Sequence, residues 1–200
     1  MINFEYYAPT KVFFGKGRQH EIGSMIAEYG FHKILLHYGS DRIKKSGLYD
    51  EVVQSLQKAD IEFVELSGVV ANPRLSLVEE GIRICREQNI ELVLAIGGGS
   101  VIDSAKAIGC GYYYDGPVWN FFEAKASPQK TLPVGVILTI AAAGSEMSNS
   151  MVITKEEGLV KRGINNNIVR PLFAVLNPEL TYTLPPYQTA CGIVDILMHT

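Results

Sequence analysis

The sequence contains few cysteines and no pattern that would link them. Its 200 residues include three, Cys85, Cys110 and Cys191, and no CxxC pair. A sparse, odd set argues against a disulfide scaffold and fits a reduced compartment. The N-terminal residues lack a basic stretch followed by an apolar one, so no secretory signal is predicted. We therefore expect a cytoplasmic protein.

The sequence also lacks an excess of charge and any long hydrophobic run. The 18 basic and 21 acidic side chains leave a net charge of −3, which does not favour nucleic acid as a partner. The longest uncharged stretch, residues 131–145, falls short of the roughly 18 apolar residues of a membrane helix. We expect neither a nucleic-acid partner nor a membrane span. Hydrophobic residues at 47% and charged residues at 20% are typical of a globular domain.

Several catalytic motifs are absent. The sequence has no G-x-S-x-G and no G-x-x-x-x-G-K-[ST], so a serine hydrolase and a nucleoside-triphosphatase phosphate loop have no support. The dinucleotide pattern G-x-G-x-x-G fails twice. Ile102 stands where a third glycine would follow Gly97 and Gly99, and His20 stands where one would follow Gly15 and Gly17.

Strand and helix patterns do alternate along the chain, which predicts βαβ units, a parallel sheet and right-handed crossovers. One helix is predicted to begin at Asn72-Pro73, with Asn72 as the cap. Residues 151–154 and 161–164 read as a hairpin. The predicted strands are 11–14, 33–38, 61–66, 91–96, 134–139 and 173–176, and the predicted helices are 18–29, 48–59, 73–88 and 100–109.

The composition changes at Leu184-Pro185-Pro186. A new helical pattern follows, with Ala190, Ile193, Val194 and Leu197 on one face. We therefore place a domain boundary there, with residues 1–184 as one domain and 185–200 as the first helix of a second. Because the pattern stops at Thr200 without a cap, we expect a truncated chain.

The most informative turn is Gly97-Gly98-Gly99-Ser100, between a buried strand and a helix. Glycines let a ligand approach the backbone, and the helix N-terminus favours an anion such as a pyrophosphate. The alternative is a tight turn in which Ser100 and Asp103 form a capping box. Asp103 would repel a pyrophosphate, so it suits a ribose or amide better. Lys106 either stays solvated or neutralises Asp103.

The segment Gly39-Ser40-Asp41-Arg42 follows the second predicted strand. A carboxylate there can hold ribose hydroxyls, and an arginine can hold a 2′-phosphate. The segment therefore leaves NAD and NADP open. A solvated loop, with Asp41 capping a turn, is an equal alternative.

Asp195 and His199 are four residues apart on the last predicted helix, roughly opposite its apolar face. A carboxylate and an imidazole so placed can share one divalent metal. Two ligands do not make a complete site, and an ordinary polar helix face is the alternative.

These residues together resemble the iron-containing (group III) alcohol dehydrogenases, and more closely their butanol-dehydrogenase-like, aldehyde-reducing branch. The resemblance extends over essentially the whole chain. It is carried by Phe13-Phe14-Gly15-Lys16-Gly17, Ile43-Lys44-Lys45-Ser46-Gly47, Asn72-Pro73, the glycine turn with Asp103 and Lys106, Gly144-Ser145-Glu146, Leu176-Asn177-Pro178, residues 181–186, and Gly192-Ile193-Val194-Asp195 with His199.

The resemblance implies a Rossmann-like NAD(P)-binding domain followed by an all-helical, metal-binding domain. It implies hydride transfer between NAD(P)H and a small aldehyde or alcohol, and often a homodimer. One aspartate and three histidines hold a divalent metal, iron or zinc; Asp195 and His199 match the first two ligands, and the others would lie beyond Thr200. The implied cofactor residues are Gly98, Gly99 and Ser100 at the pyrophosphate, Gly39, Ser40 and Asp41 at the adenosine ribose, Asn72 near the nucleotide, Thr139 beside the nicotinamide, and Lys161 near the cofactor. Asp103 joins this predicted set on its residue type, as a partner for a ribose or amide.

The chain departs from this branch in two places. Relatives often have Gly-Gly-Gly-Ser where Gly39-Ser40-Asp41-Arg42 stands, and commonly a threonine where Ala143 stands. We expect the chain alone to be inactive, because half of the metal shell would be missing. A glycerol-dehydrogenase-like polyol oxidoreductase and a non-catalytic nucleotide-binding module remain as alternatives.

Overall fold

The structure is a computed structural model that describes residues 3–199. Residues 1, 2 and 200, which belong to the two predicted domains, lie outside the described residues. The strands are β1 (Lys11–Phe14), β2 (Lys33–Tyr38), β3 (Glu62–Leu66), β4 (Leu92–Gly97), β5 (Val134–Leu138), β6 (Ser150–Lys155), β7 (Val160–Asn165) and β8 (Phe173–Leu176). The helices are α1 (Ile22–Glu28), α2 (Arg42–Lys45), α3 (Leu48–Lys58), α4 (Leu75–Gln88), α5 (Gly99–Tyr112), α6 (Trp119–Phe122) and α7 (Pro186–His199).

Six strands form one parallel sheet in the order β1-β8-β5-β4-β2-β3. The remaining two, β6 and β7, form a separate antiparallel hairpin. The predicted α/β, Rossmann-like fold is therefore confirmed, as is the hairpin.

Both faces of the sheet are covered, which explains the nearly unbroken apolar strands. Successive side chains of a strand point to opposite faces. Leu92 and Leu94 of β4 accordingly pack with α1 and α3, whereas Val93 and Ala95 pack with α4 and α5. The sheet lies between these two helical layers.

The predicted helix start at Asn72-Pro73 is wrong. Helix α4 begins at Leu75, and Arg74 before it is extended. The carbonyl of Pro73 accepts a hydrogen bond from the Thr154 N–H at 2.8 Å, which holds this segment beside β6. Asn72 has a left-handed backbone with φ of 58° and so cannot serve as the cap.

Helix α7 follows the predicted boundary at residue 184, and its side chains are exposed throughout. Its apolar residues include Ile193 and Val194, which are 55% and 56% exposed. The division into two domains stays a prediction. Within residues 3–199, no helix has the length and apolar character needed to cross a membrane.

A buried histidine joins three elements of the fold. His37 of β2 is fully buried, and its Nδ1 donates to the carbonyl of Leu66 at 2.9 Å. Its Nε2 lies 2.9 Å from Ser104 Oγ of α5 and accepts from that hydroxyl. The neutral ring satisfies both partners, because its one N–H donates to the carbonyl and its other nitrogen accepts from the hydroxyl. Burial lowers the pKa of His37 to about 4, against the opposing effect of the Leu66 hydrogen bond.

This histidine predicts an acid-sensitive fold. The unfolded chain binds a proton at His37 near pH 6.5, whereas the folded chain resists it until about pH 4. Stability from this residue is therefore complete above pH 6.5 and falls by about 3 kcal/mol as the pH drops to 4. We expect urea unfolding between pH 7.5 and 4.5 to show this loss.

Matched variants separate His37 from the acidic groups. His37→Asn should flatten the pH dependence across this window, and His32→Gln, which changes an exposed histidine, should leave it as it is. If the free energy of unfolding fell equally steeply with decreasing pH in the wild type and both variants, His37 would not be the source of the acid sensitivity.

Candidate cofactor site

The carboxyl ends of neighbouring strands bring several predicted site residues to one edge of the sheet. The helix after β2 packs on one face and the helix after β4 packs on the other. The crevice between β2 and β4 is therefore a topological switch point, where ligands bind in open α/β sheets. Gly39 follows β2, Gly98 follows β4 and Thr139 follows β5. The Thr139 N–H donates to the carbonyl of Gly97 at 3.1 Å.

The glycine turn leaves no room for side chains. A Cβ on Gly98 would lie 2.5 Å from Cγ2 of Ile140, and a Cβ on Gly99 would lie 3.1 Å from that of Ala143. Helix α5 begins at Gly99, and the N–H groups of Val101 and Ile102 donate to the Gly98 carbonyl at 3.0 Å and 3.2 Å. The amides of Gly99 and Ser100 are therefore the ones at this helix start that have no preceding helical carbonyl to bond. Backbone N–H groups at a helix start, without side chains before them, suit a pyrophosphate.

An open cleft of about 470 Å³ lies beside this turn. It contains Thr139 and Ile140 from the end of β5, and Arg42 from the segment after β2. Its floor includes a polar chain in which Asn177 donates to Gln19 at 3.0 Å and Gln19 donates to Glu51 at 2.9 Å. The cleft is lined by Gln19, Arg42, Ile43, Ser46, Leu48, Glu51, Thr139, Ile140, Asn177, Glu179, Leu180, Thr183 and Leu184.

A second group of predicted residues meets near α5, outside the cleft lining. Lys161 of the hairpin donates to Asn72 Oδ1 at 2.8 Å, and both residues are exposed. The positive charge of Lys161 also acts on Asp103 in α5. Two residues 89 positions apart are thus brought together beside the first turns of α5.

The capping-box alternative for Ser100 and Asp103 is wrong. The residue before the helix is Gly98, and no side chain caps it. Asp103 instead accepts from Ser145 Oγ at 2.5 Å and from the Val152 N–H at 3.0 Å. Burial raises the pKa of Asp103, while these two bonds and the charge of Lys106 act in the opposite direction.

Lys106 is not solvated, because its side chain is fully buried. The ammonium donates to Ser145 Oγ at 3.0 Å, to the Ser148 carbonyl at 3.0 Å and to the Ser150 carbonyl at 2.8 Å. Burial lowers its pKa to about 8, with the charges of Asp103 and Glu146 opposing this.

The remaining predicted residues stand apart from these contacts. Ser40 and Asp41 are exposed beside the cleft, just before Arg42. Asp195 and His199 lie on α7, 62% and 80% exposed, with Oδ1 and Nε2 at 3.7 Å. Across residues 3–199, no group of three or more His, Cys, Asp or Glu side chains could hold a metal. The oxygen and nitrogen of this pair fit part of an iron or zinc shell, not all of it.

Sequence reasoning missed the Gln19–Asn177 floor of the cleft and the role of Ser145. No local signal could have found the floor, since its residues are 158 positions apart. Thr139 and Ile140, the first residues of the small, hydroxyl-rich segment 139–150, line the cleft.

Known proteins similar to this chain share its fold and much of its sequence. The family profile "Iron-containing alcohol dehydrogenase" matches residues 9–178. NADH-dependent butanol dehydrogenase A of Clostridium acetobutylicum is 48% identical over 200 residues, which are 100% of this chain and 51% of that protein. NADPH-dependent aldehyde reductase YqhD of Escherichia coli is 35% identical over 203 residues, again 100% of this chain and 51% of that protein.

A solved structure agrees with these sequence matches. The crystal structure of NADH-dependent butanol dehydrogenase A from Thermotoga maritima superposes with a TM-score of 0.94 at 44% identity, covering 98% of this chain and 50% of that one. The chain therefore spans about half the length of the relatives it matches.

Proposed function

This chain belongs to the iron-containing alcohol dehydrogenase family, and on that premise we propose that it forms the NAD(P)H-binding part of a metal-dependent alcohol dehydrogenase or aldehyde reductase. The reaction is hydride transfer between the nicotinamide and a small aldehyde or alcohol. The relatives' names support this substrate class, since they include butanol dehydrogenases and an aldehyde reductase.

The observation that carries the proposal is the glycine turn at the switch point. The amides of Gly99 and Ser100 lie at the start of α5, and a Cβ built on Gly98 or Gly99 would come within 2.5 Å of Ile140 or 3.1 Å of Ala143. The turn therefore receives the pyrophosphate, and Thr139 in the adjoining cleft is placed to contact the nicotinamide half. Gly39, Ser40 and Asp41 face the adenosine ribose. Asn72 and Lys161, joined by a hydrogen bond of 2.8 Å, would approach the nucleotide, and Asp103 of α5 interacts electrostatically with Lys161 beside them.

The metal would be held in part by Asp195 and His199, with the other ligands supplied from outside these 200 residues. A bound iron or zinc ion supplies Lewis-acid polarisation of the aldehyde oxygen. This chain's own contribution is to bind and orient the cofactor. We propose that residues 1–184 form that cofactor domain and that residues 185–200 begin the metal-binding domain. The chain alone is then inactive.

We also propose that the full-length enzyme is a homodimer. Strand β1 lies at an edge of the sheet, and its Val12 and Phe14 are 39% and 69% exposed. Light scattering on the full-length protein tests this directly.

The experiment that tests the cofactor proposal is a titration of the purified chain with NADH, followed by nicotinamide fluorescence. We expect saturable binding at one site per chain. ATP serves as the control, because the chain has no nucleoside-triphosphate loop. No saturation with NADH or NADPH, or equal affinity for ATP, would contradict the proposal.

Asp41 is expected to favour NADH over NADPH. Its carboxylate, at the end of β2, suits ribose hydroxyls and repels a 2′-phosphate. Asp41→Asn removes that repulsion and leaves Arg42, which lines the cleft, to meet the phosphate. We expect the ratio of the NADPH Kd to the NADH Kd to fall about tenfold.

The control for charge alone is Asp115→Asn, an exposed aspartate far along the chain from this segment. It should leave the ratio unchanged. An Asp41→Asn variant with the wild-type ratio would show that Asp41 does not face the ribose.

A further inference from the structure

A buried cation and a nearby carboxylate hold one loop from the same helix. We define the serine loop as residues 144–150, which follow β5 and end at the first residue of β6. All three protons of the Lys106 ammonium have acceptors in this loop, at Ser145, Ser148 and Ser150. Asp103, one turn earlier on α5, binds the Ser145 hydroxyl as well. Lysine is among the residues that are almost never fully buried unless they are paired.

Ser145 connects the two charged groups. Its hydroxyl accepts from Lys106 at 3.0 Å and donates to Asp103 at 2.5 Å. Because a hydroxyl has one donor and two acceptor positions, it can serve both partners at once. The other Asp103 oxygen accepts from the Val152 N–H at 3.0 Å, so the network extends into β6.

The serine loop continues a segment that touches the glycine turn. Ala143 and Ile140 come within 3.1 Å and 2.5 Å of Cβ positions built on Gly99 and Gly98. On its other side, Arg170 donates to the Met147 carbonyl at 2.5 Å. The position of residues 140–150 therefore sets how much space lies above the start of α5.

We propose that Lys106 is a positioning residue for the cofactor: acting through Ser145, it holds the serine loop against the glycine turn and thereby shapes the cradle for the pyrophosphate. This inference rests on the proposed cofactor site. The ammonium stays charged below about pH 8, where Asp103 and Glu146 counter the effects of burial and of Arg170. Its hydrogen bonds go to this one loop, so its loss acts locally.

The test measures hydrogen exchange and NADH affinity in Lys106→Met, Ser145→Ala and Ser145→Thr, with Lys58→Met as control. Methionine keeps the length of the side chain and removes the ammonium. We expect Lys106→Met and Ser145→Ala each to speed amide exchange in residues 144–150 about tenfold or more, and to raise the NADH Kd about tenfold. Ser145→Thr retains the hydroxyl, so its amide exchange rates in residues 144–150 and its NADH Kd should stay within about threefold of the wild-type values. Lys58, exposed at the end of α3, should have no effect.

Unchanged exchange in residues 144–150 of Lys106→Met would overturn the proposal, and so would faster exchange spread equally over β4 and the other sheet strands. A Ser145→Thr variant as defective as Ser145→Ala would remove the role of the hydroxyl bridge. If Lys106→Met does not fold, by far-UV circular dichroism, the Ser145 pair carries the test. If the wild-type chain fails to bind NADH, the proposed function fails, whereas the exchange data still decide whether Lys106 holds the loop.

Discussion

Replacing Gly98 with alanine should raise the Kd for NADH about 100-fold. The new Cβ would lie 2.5 Å from Ile140 Cγ2, so either the turn or Ile140 must move. A movement of the turn would displace the amides that we propose to bind the pyrophosphate. Losing two hydrogen bonds to a charged group accounts for an effect of this size. Titration by nicotinamide fluorescence measures it.

Gly192→Ala is the matched control. A Cβ at Gly192 on α7 meets no atom within 4 Å, so we expect NADH affinity to stay at the wild-type value. Thermal unfolding of both variants separates a local effect from loss of the fold. A Gly98→Ala variant that binds NADH within about threefold of wild type would show that the cofactor does not use this turn.

The second large effect is an absence of turnover. The purified 200-residue chain with NADH, butanal and added Fe²⁺ or Zn²⁺ should oxidise NADH at least about 1,000-fold more slowly than a full-length relative. The reason is that Asp195 and His199, both exposed, would supply two ligands at most, whereas a catalytic zinc site uses three protein ligands and an open position. Loss of Lewis-acid stabilisation worth several kcal/mol gives a deficit of this order.

The loss of NADH absorbance, with and without metal, measures this prediction. Asp195→Ala should leave both NADH binding and the residual rate unchanged, because Asp195 and His199 are distant in sequence from the glycine turn and make no complete metal site within residues 3–199. Robust metal-dependent reduction of butanal by this chain would contradict the assignment. A full-length protein that binds NADH without any metal would favour a non-catalytic nucleotide-binding module instead.

Much of the fold could be predicted because its signals are local. Apolar strands such as 91–96, and glycine at strand ends, indicate a parallel sheet without knowledge of tertiary contacts. The start of α4 could not be predicted in this way. Asn72-Pro73 has the residue types of a helix start, but a hydrogen bond from Thr154, far along the chain, keeps Pro73 outside the helix.

In the candidate site, too, the residues that could be predicted are those with a local sequence signal. Gly98, Gly99 and Ser100 form one contiguous motif whose chemistry follows from residue type. The hydrogen-bond partners of Asp103 could not be predicted from residue type, because Ser145 and Val152 reach it only through the folding of the segment after β5. Lys106 shows most clearly what the sequence alone could not predict. A lysine on a helix is ordinarily solvated, and here its side chain is fully buried.

The most direct test of the account is an amide NMR titration of the isotope-labelled chain with NADH. We predict saturable shifts at Gly98, Gly99 and Ser100, with a further shift at Thr139 in the cleft. Amides of the groove around Arg83 and Tyr114, between α4 and the end of α5, should not move. Saturable shifts confined to that groove, or no shift at the glycine turn at saturating NADH, would contradict the claim that this chain is a cofactor-binding domain built on Gly97-Gly98-Gly99.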